Sequence, residues 1–156
     1  MFKGSKLYSR KHLSTFDHHH RPMPSPSSAT GLILLSHGSK DPVWRRNAEH
    51  LLAQVQHARP DAAVACAYLD WCEPPLGPAV AQLLQSHPRL THITIWPLLF
   101  GVGKHASEDI PALVEELAPR YPQVQLRIAP AMGEDARVIQ LLADMAGGYL
   151  QGKLQG

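Results

Sequence analysis

Cysteine is nearly absent from this chain. Two residues, Cys66 and Cys72, serve 156 positions and form no CxxC pair. That excludes a disulfide framework, argues against a thiolate zinc site and fits a reducing compartment. Charge is also sparse, at 18% of residues against 44% hydrophobic, so the chain can bury a core and is not disordered overall. Long apolar runs are missing: none approaches the ~20 residues of a membrane helix. Residues 1–22 lack the apolar centre of a signal peptide. A soluble cytoplasmic protein is expected, and 156 residues suit one domain. Several sequence templates are lacking as well. No GxGxxG follows the first apolar run, which disfavours a dinucleotide cofactor. Gly101-Val102-Gly103-Lys104 has neither the spacer nor the Lys-Ser/Thr end of a Walker loop. His37-Gly38-Ser39 is not a GxSxG elbow.

The positive charge is concentrated at one end. Residues 1–30 carry a net +4 and residues 31–156 a net −2. A nucleic-acid binder carries its basic footprint on the folded domain, so no nucleic-acid partner is expected. Residues 1–30 mix basic and polar residues and end in Arg21-Pro22-Met23-Pro24-Ser25-Pro26, which reads as a flexible leader. His18-His19-His20 within it is read as part of a solvated tail rather than as a metal site.

The domain is expected over residues 31–150, with 151–156 as a C-terminal tail. Leu32-Ile33-Leu34-Leu35 is a short continuous apolar run, as in a strand buried on both faces of a parallel sheet. Asp41-Pro42 then opens a helix with a capping residue and an N-terminal proline. Its apolar face is Trp44, Ala48, Leu51, Leu52 and Val55, and Pro60 ends it. Ala62–Leu69 is the second strand, and a helix with Leu76, Val80, Leu83 and Leu84 follows Glu73-Pro74-Pro75. His92–Trp96 is the third strand, followed by a helix with Ile110, Leu113, Val114 and Leu117 on one face. Val124–Ile128 alternates like a strand near an edge. The last helix carries Val138, Leu141, Leu142, Met145 and Tyr149 and ends around Gly147-Gly148.

Alternation of this kind predicts a flavodoxin-like three-layer α/β/α fold, with four parallel strands in the order 2-1-3-4. Strands 1 and 3 are then neighbours at the point where the chain reverses direction. Ligands of open α/β sheets bind there, beyond the carboxyl ends of the strands. His37 and His105 fall at those two ends, in loops that carry Gly38 and Gly101 with Gly103, and Asp70 ends strand 2. Neutral imidazole binds Co²⁺, Ni²⁺, Fe²⁺ and Zn²⁺ and takes up protons near neutral pH. The pair is therefore a candidate metal site, a candidate general base, or both in turn, with Asp70 as a further ligand or proton acceptor. Glu73, Glu108 and Asp109 stand second in line. His12, His50, His57, His87 and His92 are read as surface or capping residues. Cys66 is read as a small buried hydrophobe.

Leu34-Leu35-Ser36-His37-Gly38-Ser39, Ala67-Tyr68-Leu69-Asp70 with Glu73-Pro74, and Pro97–Phe100 through His105 to Asp109-Ile110-Pro111 together resemble the CbiX/SirB family of sirohydrochlorin chelatases. The resemblance spans most of residues 31–145, and the length resembles the short, single-module CbiX form. It implies ATP-independent insertion of a divalent metal into sirohydrochlorin: cobalt first, with iron or nickel as alternatives. Two pyrrolic protons leave, and the product feeds cobalamin or sirohaem synthesis. The metal is then a substrate, and no tightly bound cofactor is expected. The family histidines map onto His37 and His105 as metal ligands and proton acceptors. Its acidic residue after strand 2, usually glutamate, maps onto Asp70. A homodimer is implied, because a short form resembles half of a bilobal chelatase.

Sirohydrochlorin is flat and bears eight carboxylates, so its site needs apolar surface with cations at the rim. The segments Ser36, Gly38, Ser39, Lys40 and Phe100, Gly101, Val102, Gly103, Lys104 are the candidate substrate-binding loops. Within them Phe100 and Val102, beside Leu98 and Leu99, supply apolar surface, while Lys40 and Lys104 supply charge. Arg45 and Arg46 are read as a solvated helix face. Two other readings belong to different classes. One is a metal-carrier or tetrapyrrole-binding paralogue without turnover. The other is a receiver-like domain, which lacks the acidic cluster after strand 1, where His37 stands instead.

Overall fold

The computed structural model describes residues 29–152, with Lys104 and His105 described by their backbone only. The histidine triplet of the leader lies outside the described residues. Strand β1 (Thr30–Ser36) is followed by helix α1 (Arg45–Ala58), β2 (Ala63–Tyr68), α2 (Leu76–Ser86), β3 (His92–Pro97), α3 (Lys104–Leu117), β4 (Gln125–Ile128) and α4 (Ala136–Leu150). All strand pairs are parallel, in the order β2-β1-β3-β4. The expected topology is therefore observed.

β1 lies between β2 and β3, and its apolar run is buried on both sides. Ile33 and Leu35 face α2 and α3, packing with Val80, Leu83, Ile93, Ile95, Ile110 and Val114. Leu34 faces α1 with Val64, Cys66 and Ala48. Successive side chains of a strand point to opposite faces, so a central strand needs apolar residues at every position. Cys66 is buried as expected, and that burial pushes its thiol up to about 11, with the nearby Glu49 carboxylate adding to the effect.

Two expectations are corrected here. Trp44 does not join the buried face of α1; it is 70% exposed. The chain enters α1 through a 3-10 turn at Pro42–Trp44, capped by the Asp41 side chain accepting from Val43 N–H at 2.9 Å. Three residues per turn break the 3.6-residue register, and Trp44 swings outward. The last helix also does not stop at Gly147-Gly148 but runs through both to Leu150.

That helix, α4, differs from the other three. It starts firmly: Asp135 caps it, accepting from Arg137 N–H at 2.9 Å and pairing with the Arg137 guanidinium at 2.6 Å. Those bonds hold the Asp135 carboxyl at about 2. Yet no residue of α4 is buried, and its chief neighbour is the 3-10 turn Met132–Glu134 that leads into it. The apolar stripe read from the sequence is present but uncovered, with Leu141 58%, Met145 47% and Tyr149 54% exposed. On α1's side of the sheet, Thr94 and Trp96 of β3 are only half-buried and Arg127 of β4 is exposed. A helix with a continuous apolar stripe normally buries it against something.

Candidate functional site

The site is built where β1 and β2 run past their ends. Their ladder continues into the following loops: Leu69 N–H donates to Ser36 O at 3.0 Å and Asp70 N–H to His37 O at 2.9 Å. The Cys72 sulfur closes the zip, donating to Ser39 O at 3.1 Å and accepting from Ser39 N–H at 3.4 Å. Gly38 makes this approach possible. Its φ is +89°, and a Cβ there would lie 1.8 Å from the Asp70 carbonyl oxygen. Only glycine suits that combination.

Trp71 lies at the tip of the second loop with φ 58°. Cys72 N–H donates back to Asp70 O at 2.7 Å, so Trp71 centres a three-residue turn of the rare positive-φ kind. Such a conformation costs a bulky residue about 1–3 kcal/mol. The indole is nevertheless 67% exposed, and the Lys40 ammonium sits 4.1 Å from the ring centroid.

His37 and Asp70, both exposed, line a cleft of about 400 Å³ whose other wall is α3. That wall contributes Ala106, Asp109, Leu113 and Glu116. His105 is the second residue of α3, one before Ala106 and one helical turn before Asp109. The structure thus brings His37, Asp70 and the first turns of α3 to one place, as the strand order predicts. Among the described side chains no three His, Cys, Asp or Glu converge as a metal site; the set has two described candidates, His37 and Asp70, beside the start of α3.

The loop between β3 and α3 is also tied down. The turn before α4 presses on Phe100: Gly133 N–H donates to Leu99 O at 3.0 Å, and a Cβ on Gly133 would lie 1.7 Å from the Phe100 carbonyl oxygen. Phe100 is held with 64% of its surface exposed. Gly101 and Gly103 face open space. Ser36 is half-buried at the end of β1, and Lys40 is exposed. Arg45 is half-buried, 4.0 Å from Glu49, and Arg46 is exposed, as expected of a helix face. Tyr68 closes the buried end of β2. Burial, then the neighbouring Cys66 and Glu49, push its phenol up to about 12, so it stays neutral.

Three residues of the site escape a reading of the sequence. Glu116 lines the cleft two turns after Asp109, a spacing visible only once α3 is known to be its wall. Cys72 is a loop clamp, and nothing near it in sequence points to Ser39. Trp71 is the third; nothing in the sequence marks a positive φ there.

The CbiX family model matches residues 31–147. A sirohydrochlorin cobaltochelatase of Saccharolobus islandicus is 30% identical over 122 residues, covering 72% of this chain and 89% of that protein. A sirohydrochlorin ferrochelatase of Priestia megaterium is 37% identical over 54 residues, covering 35% of this chain and 20% of that protein. Among solved structures, a CbiX protein of Marinobacter aquaeolei VT8 superposes with a TM-score of 0.66 at 28% identity, over 78% of this chain and 98% of that one. The sirohydrochlorin chelatase SirB of Bacillus subtilis subspecies spizizenii, in complex with cobalt, superposes with a TM-score of 0.63 at 22% identity. That match takes in 76% of this chain and 50% of the SirB chain.

Proposed function

The chain belongs to the CbiX family, and we propose from that membership and the cleft that it is a sirohydrochlorin chelatase (a lyase) inserting a divalent metal without ATP. The observation that carries this reading is the cleft itself: His37 and Asp70 at the ends of adjacent strands, facing the start of α3. His37, His105 and Asp70 receive the metal. As the pyrrole nitrogens take it over, they displace imidazole and release two protons, which the freed histidines accept. The loop residues Ser36, Gly38, Ser39 and Lys40, with Phe100 through Lys104, hold the macrocycle. Cobalt is the first metal to test. The cobaltochelatase of Saccharolobus islandicus aligns over 89% of its length, the ferrochelatase of Priestia megaterium over only 20%. Cobalamin synthesis in the cytoplasm is the corresponding setting, with residues 31–150 as the working domain. No helix among the described residues is long and apolar enough to cross a membrane.

The test is an anaerobic absorbance time course of sirohydrochlorin with the protein and Co²⁺, Fe²⁺ or Ni²⁺ in turn. Conversion over many turnovers is expected, fastest with Co²⁺. A bound spectrum without turnover would replace this reading with that of a carrier.

The partner of α4 in this reading is a second copy of the chain. Its apolar stripe is uncovered, the fold matches half of the SirB chain, and a single cleft of about 400 Å³ is small for an octacarboxylate macrocycle. Fully burying one Leu or Met side chain is worth about 1.5–3 kcal/mol. Leu142 and Met145 are 37% and 47% exposed, so each gains roughly 1 kcal/mol, and a two-fold interface counts each twice, about 4 kcal/mol in all. Leu142→Glu with Met145→Glu should therefore weaken the dimer by about a thousandfold. Sedimentation at micromolar concentration should show a native dimer and a folded monomeric variant. A native protein that sediments as a monomer would refute the pairing.

A further inference from the structure

Trp71 is the residue the fold itself does not explain. Its backbone is strained, its ring is mostly in solvent, and glycine or asparagine would hold the same turn at less cost. A strained conformation kept at an exposed aromatic points to use of the ring itself. Two features fix where that ring stands. The Cys72–Ser39 clamp ties the residue after Trp71 to the residue before Lys40. The Asp70–His37 backbone bond anchors the same two loops at the cleft. Indole and ammonium are therefore held together, 4.1 Å apart, on the same two loops that carry His37 and Asp70.

We propose that Trp71 and Lys40 form a stacking platform that binds the flat, polycarboxylated macrocycle at the mouth of the cleft. The proposal rests on reading the cleft as a sirohydrochlorin site. The Lys40 ammonium over the ring fixes the indole's orientation through cation–π attraction. The exposed indole surface then offers a conjugated macrocycle an offset-stacked partner. Lys40 also places a positive charge next to the stacked ligand, where peripheral carboxylates lie. The pair selects for a ligand that is both planar and anionic, and Trp71 acts in binding rather than in the transfer of metal or protons.

The experiment is equilibrium binding of metal-free sirohydrochlorin, read anaerobically from the macrocycle's own absorbance, beside steady-state insertion kinetics. Trp71→Gly removes the ring yet suits the positive φ, so the loop keeps its path. It should raise Kd and KM roughly tenfold, as expected for loss of one aromatic stacking partner. The kcat should change little, and Trp71→Phe should restore most of the affinity. Native Kd in Trp71→Gly would overturn the proposal, as would equal weakening in Trp71→Gly and Trp71→Phe. A native protein that turns over none of the three metals, but loses binding on Trp71→Gly, would uphold the platform and overturn the chelatase reading. A native protein that does not bind the macrocycle at all would overturn both.

Discussion

His37→Ala should lower the rate of metal insertion by about a thousandfold, the loss typical of removing a positioned acid–base group, while the protein melts within about 2 °C of native. The two halves of that expectation have separate causes. His37 lies just past β1, exposed, in a loop held by backbone bonds: its own carbonyl accepts from Asp70 N–H at 2.9 Å, and that bond survives any change of side chain. Exposed substitutions away from packing cost about 0.5 kcal/mol or less, which for a domain of this size is a shift of about 2 °C. The ring, by contrast, is the described nitrogen donor that lines the cleft, beside the carboxylates of Asp70, Asp109 and Glu116. Asp70 alone is a hard oxygen donor without the preference for Co²⁺, Ni²⁺ or Fe²⁺ that imidazole confers. His105→Ala should behave alike, since His105 opens the facing wall at the start of α3. The measurement is the anaerobic time course run beside a melt monitored by circular dichroism. Native rates in a folded His37→Ala protein would remove the histidine from the mechanism.

How far the sequence foretells this site depends on which physical signal each part carries. β1 is legible because four consecutive apolar residues flanked by glycine and serine fit little besides a central parallel strand. Once the strands are placed, their order brings His37, Asp70 and the start of α3 to one edge, and the cleft follows. The path of α4 through Gly147-Gly148 was hidden. Two glycines cost a helix only about 1 kcal/mol each relative to alanine, and Tyr149 and Leu150 beyond them continue the apolar stripe. Periodicity names the apolar face of α4 but not what covers it, so its exposure was not readable either. Trp44 leaves the apolar face because the chain enters α1 through a 3-10 turn, which the sequence does not distinguish from a first α-helical turn. The turn at Trp71 left no trace in the sequence because its cause lies in the neighbouring loop.

That neighbouring loop also explains why the motif is His-Gly-Ser and not merely His followed by any small residue. Gly38→Ala should lower the melting temperature by about 10 °C and take most of the activity with it. The added methyl would sit 1.8 Å from the Asp70 carbonyl oxygen and 3.0 Å from its carbon, and a backbone atom cannot turn aside as a side-chain tip does. Relief requires the loop of residues 36–39 to lift from residues 69–72. That sacrifices the Asp70–His37 bond and the Cys72–Ser39 clamp, each worth about 1 kcal/mol. The φ of +89° adds about 1–2 kcal/mol for any residue with a Cβ. The total is about 3 kcal/mol, or about 10 °C at this size. His37 and Asp70 separate in the process, and displacing a reacting group by ~1 Å can cost about a hundredfold in rate. Gly101→Ala supplies the internal control: nothing lies within 4 Å of its Cβ, so the melting temperature should stay within about 2 °C of native. Equal melting temperatures for Gly38→Ala and Gly101→Ala would mean that the two strand-end loops are not pressed together. The cleft would then owe its shape to α3 rather than to the glycine after His37.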